Sequence, residues 1–149
     1  MKISFDLDDL LICGVKKFDV EKSNFFTQVL GIENLRLGTV SLFKTLRLQN
    51  HEIYIYTTSL RSPFRIWLTF KLKGISLSGI VNKTIHDKKM KKLSFSCSKY
   101  PPMFDIDLHI DDSDGVNIES EKYNFNTLII KENDIKWTET VLLKIGNSS

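Results

Sequence analysis

The sequence predicts an α/β protein: a mainly parallel sheet with helices on both faces, in one domain over residues 1–149. Short β-rich runs, KISFDL at 2–7 and EIYIY at 52–56, alternate with stretches of helical apolar spacing. The segments between runs are long enough to hold crossover helices. Several runs stop at Asp, Thr or Ser, and in a parallel sheet such ends share one edge, where ligands bind.

The elements follow in order. Lys2 to Leu7 reads as a first strand that stops at Asp8-Asp9. Residues 10–22 read as irregular. Ser23 to Leu30 reads as a short helix ended by Gly31. Gly38 to Gln49 places Val40, Leu42, Phe43, Leu46 and Leu48 at amphipathic helical spacing. Glu52 to Tyr56 is β-rich and runs into Thr57, Thr58 and Ser59. Ser62-Pro63 is an N-cap followed by proline at the first helical position, opening a helix to about Lys73, with Gly74 as its stop. Gly79 to Asn82 is a short strand. KTIHDKKMKK at 83–92 reads first as a solvated basic face, with attraction of an anionic substrate as the functional reading. Phe104 to Ile110 leads into a strand that stops at Asp111-Asp112. Asn126 to Ile130 is a last strand, and Trp137 to Ile145 a closing helix. The whole reads as a Rossmann-like arrangement.

Composition narrows the class. The chain is one domain long, and its net charge of +3 suits an anionic substrate without by itself pointing to nucleic acid. No apolar run of about 18 residues is present, so no membrane span is expected. Acidic residues interrupt the N-terminal apolar stretch, which argues against a secretory leader. Cys13 and Cys97 lack metal-site spacing, so free thiols in the cytoplasm are expected. His51, His86 and His109 show no mutual metal-site spacing. His109 is expected to be packed or hydrogen-bonded, and Trp67 and Trp137 to pack in or against the core.

The chemistry lies at the strand ends. Asp6 and Asp8 close the first strand, Thr57 the second, and Asp111 and Asp112 a later one. Four carboxylates in one crevice repel one another unless some hold protons or a cation joins them. A hard cation with oxygen ligands answers this, and Mg²⁺ fits best, because one or two carboxylates plus waters and phosphate oxygens satisfy it. Lys99 precedes the later strand and is within reach of the same edge.

FDLDDLL at 5–11, IYIYT at 53–57, KYPP at 99–102 and LHIDDSDG at 108–115 together resemble, in order, the four motifs of the haloacid dehalogenase-like superfamily. The resemblance implies a Mg²⁺-dependent phosphatase acting on a phosphate monoester. Asp6 then matches the nucleophile that forms an aspartyl-phosphate, Asp8 the general acid/base, Thr57 the hydroxyl that binds the phosphoryl group, and Lys99 the charge-stabilising lysine. Asp112 matches the metal ligand, with Asp111 as a second ligand or an orienting carboxylate. Asp6 and Asp8 complete the implied metal site.

Asp9-Leu10 stands where the family usually has Gly-Thr, which leaves the phosphorylated substrate open, macromolecular ones included: sugar phosphate, nucleotide, phosphoprotein or nucleic-acid end. From Asp6 to Thr57 there are 51 positions and from Thr57 to Lys99 there are 42, so no separate cap domain fits. A phosphoryl-accepting regulatory module is the alternative. Receiver domains order their motifs differently, however, and lack a counterpart of Asp8. A scaffold that has lost turnover ranks third, because no motif is missing.

Overall fold

The computed structural model is described here for residues 1–22 and 25–147. It contains one five-stranded sheet with every strand parallel: β1 (Lys2–Phe5), β2 (Glu52–Tyr56), β3 (Gly79–Val81), β4 (Leu108–Asp111) and β5 (Thr127–Ile129), in the order β3-β2-β1-β4-β5. The α/β prediction holds, with a sheet that is wholly rather than mainly parallel. The chain winds outward from β1 to β3, then returns to the other side of β1 for β4 and β5. The winding direction therefore reverses between β1 and β4, and a crevice opens at their carboxyl ends.

The helices are α1 (Phe25–Val29), α2 (Thr39–Leu48), α3 (Pro63–Lys71), α4 (Lys83–Met90), α5 (Asp114–Tyr123) and α6 (Trp137–Gly146). The predicted start of the first helix at Ser23 lies outside the described residues. Strand alternation splits the sheet into two faces. Ile3, Phe5, Ile53, Ile55 and Ile110 pack against Phe43 of α2, Phe70 of α3 and Val141 of α6 in the main core. The other face carries Tyr56 and Val81, which pack with Ile106, Ile85 of α4 and Phe104. No separate cap domain occurs among the described residues.

Local sequence explains the boundaries. The Ser62 side chain caps α3 by accepting from the Arg65 amide at 3.2 Å, with Pro63 in the first turn. Gly38 leads into α2 with φ of 92°, and Gly74 (φ 74°) follows α3. Three readings need correction. KTIHDKKMKK is not only a solvated face: Lys83–Met90 is helical, capped by Asn82, and buries His86 and Met90. Asp114–Tyr123 forms α5, which the sequence reading passed over because few of its residues are apolar. Phe104 belongs to a 3₁₀ turn (Pro101–Phe104), and the strand itself starts at Leu108.

Candidate active site

Asp6 follows β1 directly, and its amide donates to the Ile110 carbonyl at 2.8 Å, which fixes it beside the end of β4. Lys99, on the segment before the 3₁₀ turn, places Nζ 2.6 Å from Asp6 Oδ1 and 2.5 Å from Asp111 Oδ2. Asp111 Oδ2 also meets His109 Nε2 at 2.8 Å, and Ser4 Oγ lies 2.7 Å from His109 Nδ1. Asp111 Oδ1 accepts from the amides of Asp112 and Ser113, each at 2.9 Å. Both Asp111 oxygens therefore have two partners each, and its carboxylate is fully engaged within the protein.

Oxygens of Asp6, Asp111 and Asp112 lie within 4.8 Å of one another, an all-oxygen group of the kind that suits a hard divalent cation. Asp112 is held differently from Asp111: Lys16 Nζ donates to its Oδ2 at 2.5 Å and to its carbonyl at 3.1 Å. With Asp111 saturated, Asp6 and Asp112 are the carboxylates best able to take a cation, and Asp111 orients Lys99.

The Asp8 carboxylate is not part of this group. It accepts from Arg61, whose other nitrogen reaches Glu33 at 2.8 Å, and from Thr57 Oγ1 at 3.4 Å. Thr57 is buried at the end of β2, its amide tied to the Val81 carbonyl. The structure thus brings Asp6, Lys99, Asp111 and Asp112 together and sets Asp8 and Thr57 beside them as a second pair. Asp9 takes a left-handed φ of 64°, and its Oδ1 accepts from the amides of Gly14 (3.0 Å) and Lys16 (2.8 Å). Its charge clasps the 9–16 loop. A β-carbon on Gly14 would meet that oxygen at 2.8 Å, so a larger residue there would push the Asp9 carboxylate from its present position.

Electrostatics follow from burial. Burial pushes Asp6 up to about 7, opposed by the Lys99 charge and reinforced by the negative Asp111 nearby. Burial also acts to raise Asp111, but Lys99 and the His109 hydrogen bond overcome it and hold Asp111 well below the usual carboxylate range. Burial lowers His109, as does the Lys99 charge. Burial would lower Lys99 too, yet Asp6 and Asp111 raise it, so its ammonium persists.

Arg61 and Lys16 are site residues that the sequence reading did not name, and His109, expected to be packed or hydrogen-bonded, is both, at the site itself. His109 had a signal: it precedes Asp111 by two in a strand, so both point to one face. Arg61 and Lys16 lie in loops and had none. Trp67 is 43% exposed and so half-buried, and Trp137 is buried, both within the core or half-buried packing expected of them. Cys97 is buried, and its thiol is pushed up to about 11 by that burial, consistent with an inert cysteine. No helix is long and apolar enough to cross a membrane among the described residues. Compared with models of known protein families the chain matches none, and no curated protein matches it.

Proposed function

We propose that this chain is a Mg²⁺-dependent phosphatase of the haloacid dehalogenase-like kind, hydrolysing a phosphate monoester through an aspartyl-phosphate. The observation that carries this reading is Asp6: a buried carboxylate braced by Lys99, beside Asp112, with Asp8 two residues on at the crevice mouth.

Asp6 attacks phosphorus with one carboxylate oxygen, and the bond from phosphorus to the leaving oxygen breaks. Asp8, once protonated and released from Arg61, gives its proton to that oxygen. Asp8 then takes a proton from water, the water oxygen attacks phosphorus, and the bond to Asp6 breaks to release phosphate. Lys99 fixes the Asp6 oxygen and stabilises phosphoryl charge, and Thr57 donates to a phosphoryl oxygen. Asp6 and Asp112 would hold Mg²⁺, which when bound supplies positive charge against the phosphoryl oxygens and keeps Asp6 ionised.

The test is phosphate release by the purified chain, with Mg²⁺ and then with chelator, on small and macromolecular phosphates. Turnover should need Mg²⁺ and should fall by roughly 10⁴-fold or more in Asp6→Asn. Undiminished hydrolysis in chelator, or by Asp6→Asn, would sink the proposal.

A further inference from the structure

Lys99 carries its ammonium on a flexible four-carbon stem, so Nζ stays between Asp6 and Asp111 only if the backbone beneath it is fixed. Cys97 to Tyr100 lie in neither a helix nor a strand, so no ladder fixes them. Side chains do so instead. The Tyr100 amide donates to Tyr56 Oη at 2.8 Å, and the Cys97 carbonyl meets His86 Nε2 at 3.1 Å. Tyr56 Oη lies 2.5 Å from His86 Nδ1, which joins the two anchors. From the exposed side, Glu119 accepts from the Ser98 amide at 2.9 Å. The direction of the buried chain follows from its ends. A carbonyl can only accept, so His86 Nε2 carries a proton and donates to Cys97. Burial lowers the His86 pKa, which favours the neutral ring and leaves Nδ1 as an acceptor. The Tyr56 hydroxyl therefore donates to Nδ1, while its oxygen accepts from Tyr100. Each donor from Tyr100 through Tyr56 and His86 to Cys97 thus has its own acceptor. Tyr56 is fully buried and His86 is 4% exposed, so solvent does not stand ready to replace a lost link. Tyr56 ends β2 and His86 lies in α4, so the chain ties the Lys99 segment to two regular elements.

We infer that Tyr56 and His86 are positioning residues, which set the Lys99 ammonium against Asp6 by clamping the backbone on either side of it, at Cys97 and Tyr100. The consequence for turnover rests on the phosphatase reading above; the placement of the ammonium does not. The basic segment at 83–92 then serves the crevice from its buried face, through His86, rather than through its exposed lysines.

Three variants test the clamp. Tyr56→Phe keeps the ring and removes the shared oxygen. His86→Leu removes both links of the imidazole, and His86→Gln keeps one donor and one acceptor. The first readout is the ¹H–¹⁵N signal of the Lys99 ammonium, assigned by its loss in Lys99→Met. Held between two buried carboxylates, that ammonium should exchange slowly with water in the parent chain. In Tyr56→Phe and His86→Leu, exchange should quicken by roughly 5- to 150-fold, the equivalent of one buried hydrogen-bond partner lost. His86→Gln should recover most of the change. The second readout is phosphate release. In Tyr56→Phe, kcat should fall by roughly 10- to 100-fold, as for other partners that orient a working group, with KM held within about 2-fold. Added to Lys99→Met, Tyr56→Phe should cost kcat nothing more, because the group it positions is gone. A merely structural role would lower the melting temperature, leave ammonium exchange unchanged and add its full cost to Lys99→Met. Unchanged exchange in a folded Tyr56→Phe chain overturns the inference, and so does an undiminished kcat loss in the Lys99→Met background. Tyr56→Phe loses a single oxygen and decides the matter should His86→Leu not fold. Faster exchange in the variants, with no phosphate released by the parent chain, supports the clamp and overturns the hydrolytic reading instead.

Discussion

The crevice has a floor and a rim, built from the same residue types under different dielectric conditions. On the floor, the side chains of Asp6, Lys99, Asp111 and His109 are each 10% exposed or less. On the rim, Asp8 and Glu33 are 37% exposed, Lys16 30% and Arg61 29%. Charges on the floor have lost most of their hydration and hold one another in place. An unpaired charge there is costly. Rim charges keep water, so their pairs are weak and exchangeable. The difference divides the labour: the floor holds Asp6 in a fixed geometry, while rim partners can exchange, which suits the ligand entry and proton movement of the proposed reaction.

The largest expected effect is on the floor. Lys99→Met should destabilise the chain by about 3–5 kcal/mol in urea unfolding at neutral pH, because it leaves Asp6 and Asp111 without their cation. Activity should fall by roughly 10²–10³-fold, as for loss of one oxyanion donor. A loss of stability no larger than for a rim pair would erase the floor–rim distinction.

A second effect sharpens it through pH. The folded pKa of Asp6, about 7, lies above its ordinary 3.8, so between those values the folded chain keeps a proton that the unfolded chain releases. Its contribution to stability is full below the ordinary value and is lost as pH rises through about 7. In thermal melts without metal, Asp6→Asn should therefore gain on the parent chain as pH rises across that window. Mg²⁺ should stabilise the parent more above pH 7 than near pH 5. Equal pH profiles for the two chains would mean Asp6 is not desolvated. Asp111 behaves in the opposite sense: its pKa is depressed, so its contribution is present above the ordinary value and lost on acidification.

The cation site tests the boundary between the two regions. Asp112→Ala should weaken Mg²⁺ binding, measured by calorimetry, more than Asp111→Asn does, because Asp111 already has all its acceptor positions filled. The reverse ranking would exchange their roles. The smallest effects belong to residues outside the crevice. Reversing the charges of Lys88, Lys89, Lys91 and Lys92 should leave kcat/KM for small phosphates within about 2-fold. α4 begins at the carboxyl end of β3 and runs away from that edge, so Lys92 lies about 13 Å along the helix direction from Lys83. A large change would put those lysines in a substrate path that this direction does not provide.

What could be read in the sequence follows the same division. β1, β2 and β4 announced themselves because apolar residues fill them and Asp or Thr ends them, and the Asp ends of β1 and β4 are on the floor. α3 was legible through Ser62-Pro63. α4 and α5 were not, because each buries only two residues, His86 and Met90 in one and Val116 and Ser120 in the other, too few to give a helical apolar period. The Asn82 cap was the available signal for α4. On the rim, Lys16 reaches Asp112 across 96 positions and Arg61 reaches Asp8 across 53, through loops whose course no local pattern encodes.

The strand order also has a kinetic consequence. Asp6 leaves the ribosome before Lys99, which is 93 positions later, and Ser4 meets His109 across 105. At about 5–20 residues per second, Asp6 waits on the order of 5–20 s for its cation, longer for β4. During that wait β1 can pair with β2 alone, and its other edge, the one meant for β4, stays open. A nascent chain stalled before Lys99 would hold the first acidic motif with no counter-charge and an unfilled strand position. Chains cut short there should carry Asp6 without its partners, and be prone to pair their open edge with one another.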